Sequence, residues 1–138
     1  VIYDEQAICY AALVKKVIST EAAPAAIGPY SQAIEAHGVL YCSGQIALDP
    51  ATGELHTSTI EEETEQVLKN LGAVLKAAGY TFDHVVKTTV FLVDMDDYAT
   101  VNEIYNQYFS ESKPARAAVA VRTLPKHVKV EIDCIAVK

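Results

Sequence analysis

From Ile60 to Ala78 the residues Ile60, Thr64, Val67, Leu68, Leu71, Val74, Leu75 and Ala78 recur at helical spacing. Ser58-x-x-Glu61 ahead of them reads as a capping box. Glu61, Glu62 and Glu63 suit the positive end of the helix dipole, and Gly79 supplies a stop. A stripe of this kind is a core face, not a cofactor box. His84–Val93 is a β-branched run that predicts a central strand. A second helix is expected from about Asp96 to Phe109, capped by Asp94. Its apolar stripe is Tyr98, Val101, Tyr105 and Tyr108, with Asn102 at the stripe's edge.

The remaining segments read as strands and turns. Lys15–Thr20 predicts a short first strand, and Ala22–Tyr30 a loop punctuated by Pro24, Gly28 and Pro29. Ser31–Ala36 and Val39–Ser43 flank His37-Gly38 as a hairpin turns its chain. Asp49-Pro50-Ala51-Thr52-Gly53 is a further turn. Arg116–Thr123 and Val128–Val137 read as a closing hairpin around Leu124-Pro125-Lys126-His127. Pairing Thr123 with Val128 sets Val121 against Val130, Val119 against Ile132 and Ala117 against Cys134. That register makes one face continuously apolar. The other face carries Arg116, Ala118, Ala120, Arg122, Lys129, Glu131 and Asp133. Helices on one side of such a sheet leave this second face for a partner subunit.

Length and charge narrow the classes. A chain of 138 residues is expected to hold one domain, over residues 15–138, preceded by an extension over 1–14. Val1–Val14 contains Asp4 and Glu5 but no basic residue, so it reads poorly as a targeting peptide. The net charge of -7 disfavours a phosphate backbone as partner, and no basic run offsets it. Cys9, Cys42 and Cys134 make no Cys-x-x-Cys pair, and His37, His56, His84 and His127 lack ligand spacing. No metal is therefore expected. Free thiols fit a reducing compartment, and cytoplasm is the expected location.

The polar face admits a narrow chemistry. An arginine fork binds a carboxylate through paired hydrogen bonds. A neighbouring glutamate can hold or deprotonate a water. Together they suit hydrolysis of a small acid next to its anchored carboxylate. Neither a P-loop, a dinucleotide fingerprint nor a nucleophile elbow competes with that reading.

Several segments then resemble one family in order along the chain. Ile27-Gly28-Pro29-Tyr30-Ser31-Gln32 resembles the IGPYSQ segment of the YjgF/RidA family of reactive intermediate deaminases. Ser43-Gly44-Gln45-Ile46 is similar to its SGQI, Lys87-Thr88-Thr89-Val90-Phe91 to its KTTVF and Ala99-Thr100-Val101-Asn102 to its ATVN. Pro114-Ala115-Arg116 and Leu124-Pro125-x-x-Val128-Lys129-Val130-Glu131-Ile132 complete the resemblance. Where many members carry Ser-Cys, Ser-Thr or a similar pair after the arginine, this chain has Ala117-Ala118. Lys113 replaces a frequent apolar residue in a shortened loop, which bears on substrate range.

The resemblance implies an α+β fold like that of a small chorismate mutase: a mixed sheet with two helices on one face. It also implies a homotrimer with a central β-barrel and clefts between subunits. The implied activity is hydrolysis of 2-iminobutanoate and 2-iminopropanoate to 2-oxo acids and ammonia, without metal or cofactor. That reaction protects pyridoxal-phosphate enzymes from the imines. Carried over residue by residue, Arg116 binds the substrate carboxylate, and Glu131 positions water and moves protons. Tyr30, Asn102, Ser43, Gly44 and the N–H of Ala118 line the cleft. The competing expectations are a non-catalytic trimer that binds small carboxylates, and a ribonuclease or translation inhibitor.

Overall fold

The helical stripe becomes α1 (Ile60–Ala77), and the second one becomes α2 (Tyr98–Phe109). The computed structural model describes residues 15–138, so the expected extension over 1–14, with Cys9, lies outside the described residues. The N-cap of α1 is Thr59, one residue later than expected, and its hydroxyl accepts the Glu62 N–H at 3.1 Å. Ser58 and Thr59 are chemically alike, so spacing alone could not choose between them. The helix closes with Gly79 N–H on the Lys76 carbonyl and Tyr80 N–H on that of Leu75, the paired bonds of a Schellman stop. Asp94 caps a short helical turn, Met95–Asp97, that leads into α2.

Six strands make one mixed sheet: β1 (Lys16–Ile18), β2 (Ala33–Ala36), β3 (Val39–Gln45), β4 (Val85–Leu92), β5 (Ala115–Ala120) and β6 (Val130–Val137). Their order across the sheet is β1-β2-β3-β6-β4-β5. The β2–β3 hairpin turns at His37 and Gly38, with φ of 51° and 76°. Two successive positive φ values are what a type I′ turn demands. The core lies between the sheet and the two helices. Leu68, Leu71 and Leu75 of α1 meet Leu40, Leu92, Val130 and Ile132 of the sheet there, and Val101 and Phe109 bring in α2.

The expected closing hairpin does not form. β5 pairs in parallel with β4, in register Thr88 with Arg116 and Phe91 with Val119. β6 enters on the other side of β4 and runs antiparallel to both β4 and β3. The intervening chain wraps over the end of β4, where Val121 N–H meets the Leu92 carbonyl and Val93 N–H the Lys129 carbonyl. Alternation assigns each strand its two faces but not its neighbour, so the apolar side of β6 was matched with the wrong side of β5.

This correction changes which residues share a face. Thr88, Arg116 and Cys134 stand in register under the helices. Phe91, Glu131 and Val119 stand in register on the opposite, helix-free face. That face leaves Val17 58%, Tyr41 50% and Val119 44% exposed. Apolar groups so placed on a sheet surface mark a contact surface. Arg116 and Glu131, expected together, lie on opposite sides of the sheet.

Candidate active site

Arg116 projects from β5 beneath α2. Its Nη1 donates to Asn102 Oδ1 at 2.7 Å and its Nη2 to the Tyr98 hydroxyl at 2.8 Å. The guanidinium carbon lies 4.8 Å from the centre of the Tyr105 ring and 5.5 Å from that of Tyr98, both within cation–π range. Tyr105 is itself fixed, its hydroxyl 2.7 Å from Thr88 Oγ1 in the core. Asn102, at the edge of the apolar stripe as expected, therefore has a partner that accounts for it. Arg116, Asn102, Tyr105, Asn106, Lys113 and Pro114 line an open cavity of about 610 Å³.

Tyr98 went unnoticed in the sequence because its ring belongs to the apolar stripe. The available signal was its spacing, four residues before Asn102, which puts both on one helical face. The hydrogen bond with Asn102 and the positive charge of Arg116 hold the Tyr98 phenol below its ordinary range. Ala118 lies two residues beyond Arg116 on the same face of β5, but outside the lining of that cavity.

Glu131 occupies a second cavity. Tyr30, Gly44, Gln45, Ile46, Lys126 and Glu131 line it, with Ile27 and Leu48. Burial, and next the charge of Asp133 on the same strand, raise the Glu131 carboxyl above its ordinary value. A carboxylate so raised is a stronger base than an exposed one. Lys126 stands at the cavity wall with φ of 55° and is followed by His127 at 56°. Lys126 lines the cavity although no sequence motif pointed to it.

Four side chains hold this second cavity in shape. The buried Gln32 amide bonds Thr20 N–H at 2.7 Å and the carbonyls of Thr20 and Pro24 at 3.0 and 2.7 Å. It thereby stitches the proline-rich loop that carries Tyr30. Asn70 of α1 donates to the carbonyls of Ile46 and Leu48 at 2.9 and 2.8 Å. Glu63, also on α1, accepts the N–H groups of Lys129 and Val130 at 2.6 and 2.7 Å, directly before Glu131. The Ser43 hydroxyl donates to the Ser31 carbonyl at 2.6 Å. Ser43 thus braces the loop, and its hydroxyl is already engaged.

Gly44 sits in the irregular stretch of β3, where pairing with β6 shifts between Cys42 and Gln45. A Cβ there would come within 2.9 Å of Glu131 Cδ and 3.0 Å of its Cγ. Only glycine lets that carboxylate lie where it does. Gly44→Ala should keep the fold, because only a side-chain end must move, yet displace Glu131. We expect kcat/KM to fall about 100-fold with an unchanged urea midpoint. Unchanged turnover in this variant would remove Glu131's placement from the account of catalysis.

Among the described residues, no three His, Cys, Asp or Glu side chains gather where a metal ion could be held. No helix among them is long and apolar enough to cross a membrane.

A mixed sheet backed by two helices, with an arginine held by amide and phenol and a glutamate in a separate cavity, defines a small α+β protein with two polar cavities. Residues 20–138 match the family described as Endoribonuclease L-PSP, and the chain belongs to that family, which includes the YjgF/RidA proteins. A mouse (Mus musculus) protein named 2-iminobutanoate/2-iminopropanoate deaminase is 57% identical over 126 residues, 91% of this chain and 93% of its own. The crystal structure of a Rid-family protein from Yersinia pestis superposes with a TM-score of 0.88 at 52% identity, covering 91% of this chain and all of that one. The crystal structure of E. coli TdcF with bound serine gives 0.84 at 42% identity, over 89% of this chain and 98% of that chain. The resemblance read from the motifs and the α+β architecture agree with these relatives.

Proposed function

We propose that this chain hydrolyses small 2-imino acids, such as 2-iminobutanoate and 2-iminopropanoate, to 2-oxo acids and ammonia in clefts between copies of itself. The observation that carries the reading is the separation of Arg116 and Glu131 into two half-sites on opposite faces of one sheet. Each half-site holds residues of the same family pattern: Arg116 with Asn102, Glu131 with Tyr30 and Gly44. Arg116 stands on the edge strand β5, so a neighbouring copy docked on the helix-free face and reaching past that edge would complete both. A homotrimer closed through those faces repeats the cleft three times and leaves no copy without a partner. The name of the mouse relative and the serine bound to TdcF support a small amino-acid-derived substrate.

The chemistry follows from the groups present. Arg116 takes the substrate carboxylate, which fixes the adjacent C=N carbon. Glu131 removes a proton from water as its oxygen attacks that carbon. That proton passes to the nitrogen to give the carbinolamine, and the new hydroxyl then gives up its own proton, by way of Glu131, to the amine as the C–N bond breaks, which releases ammonia and leaves the 2-oxo acid. An imine is already electrophilic, so alignment supplies much of the acceleration. As pH falls through the raised pKa of Glu131 the base is lost, and turnover with it. Clearing such imines protects pyridoxal-phosphate enzymes from them. A reducing compartment such as the cytoplasm suits the buried free thiols Cys42 and Cys134.

The test couples the protein to an enzyme that releases 2-iminobutanoate, with semicarbazide as a competing trap. Wild type should divert the imine to 2-oxobutanoate, and Glu131→Ala should not, while still binding 2-oxobutanoate. Failure of the wild type to divert it, with binding intact, would instead support a non-catalytic carboxylate-binding protein. The family description names a ribonuclease; a net charge of -7 argues against RNA as the substrate.

A further inference from the structure

We infer that Tyr98 is a positioning residue, which with Asn102 occupies one edge of the Arg116 guanidinium and leaves its Nε–H edge to the substrate carboxylate. This inference rests on the proposed function and specifies how that substrate is held. A guanidinium presents five N–H donors in a fixed plane. Asn102 takes one from Nη1 at 2.7 Å, and the Tyr98 hydroxyl one from Nη2 at 2.8 Å. The two acceptors stand four residues apart on α2, side by side on the helix surface. Acceptors that adjacent meet the guanidinium along the edge its two terminal nitrogens share. The guanidinium carbon also lies over the Tyr105 ring, 4.8 Å from its centre.

One fork therefore remains: Nε–H with the second N–H of its neighbouring terminal nitrogen. A carboxylate fits that fork through two parallel hydrogen bonds. Without the Tyr98 hydroxyl, Nη2 loses its acceptor, and the guanidinium can turn about its last bonds. It then meets the substrate in several orientations, of which one is productive. Asn102 alone cannot prevent this, because a single hydrogen bond leaves rotation about its own axis free. The tyrosine ring is not required for the effect; its hydroxyl is.

Tyr98→Phe keeps the ring and removes only that group. Three measurements on the full chain decide the matter: imine hydrolysis, calorimetric binding of 2-oxobutanoate, and the ¹⁵N-resolved Nε–H proton signal of Arg116. In Tyr98→Phe, KM and the 2-oxobutanoate Kd should rise together about fivefold, with kcat and thermal midpoint almost unchanged. In wild type, 2-oxobutanoate should move the Arg116 Nε–H signal downfield. A loss in kcat at constant KM, an unchanged Kd, or an Nε–H signal indifferent to 2-oxobutanoate would overturn the inference. Wild type that binds 2-oxobutanoate but hydrolyses no imine would sink the deaminase reading alone, and the Kd of Tyr98→Phe would still judge Tyr98. Wild type that does neither removes both.

Discussion

Arg116→Ala and Glu131→Ala, each inactive alone, should recover activity when the two chains are assembled together. Loss of the proton-transferring Glu131 is expected to lower turnover by about 100-fold to 10,000-fold. Loss of the Arg116 fork, which anchors the substrate, should be comparably damaging. The two residues lie on opposite faces of one sheet, so a shared cleft takes one from each of two neighbours. In a cyclic trimer that contains both variants, roughly a third of clefts pair an intact Arg116 with an intact Glu131. Co-expression with two different tags, purification through both and the semicarbazide assay should show that recovery. Were both residues drawn from the same chain, every cleft would lack one of them, and activity would stay at the level of the parents.

Removing Glu63 should cost more stability than any other single polar substitution under α1. The residue is 0% exposed, its Oε2 accepts the Lys129 and Val130 N–H groups, and its Oε1 is buried without a partner. Glu63→Ala leaves the buried Val130 N–H and the part-buried Lys129 N–H unsatisfied and a void beside β6, a loss of about 3 kcal/mol or more to be read from urea unfolding. The pH dependence has a definite sign. Burial raises the Glu63 carboxyl above its ordinary 4.5, against the lowering pull of its two backbone hydrogen bonds. Above 4.5 the unfolded chain has released a proton that the folded chain still holds. The carboxyl's contribution is therefore complete below that value and is lost as pH rises through the folded one. Glu63→Gln cannot ionise, so its stability relative to wild type should increase as pH rises from 4.5 through the raised folded value. A constant difference between the two across that range would mean that Glu63 titrates alike in the folded and unfolded chain.

Much of this fold was legible because local patterns carried it. The α1 stripe needed only its spacing, and the His37-Gly38 turn only its two residues. The β5–β4 pairing was not local. Val119 and Ile132 alternate with the same period whichever strands they join, so their pattern is silent about a third strand, β4, lying between. The short segment Leu124–His127 looked like a hairpin loop, and in the structure it belongs to a longer wrap over the end of β4. The same error put Arg116 beside Glu131. The resemblance named both residues, but it could not reveal that one chain holds them apart. Tyr98 was hidden for a different reason: an aromatic ring can serve a core with its face and a guanidinium with its hydroxyl. Only the structure separates these two uses.

The sheet also works as an insulator. A guanidinium and a carboxylate attract one another, so Arg116 and Glu131 on the same face of one chain could pair across β4. A fork already closed on its own glutamate would have to surrender that partner before accepting any substrate carboxylate. With a layer of strands between them, neither can reach the other inside the molecule. Arg116 satisfies itself instead with the neutral acceptors Asn102 and Tyr98, and Glu131 has the like charge of Asp133 beside it. Both groups thus remain electrically unspent until another molecule is brought between them.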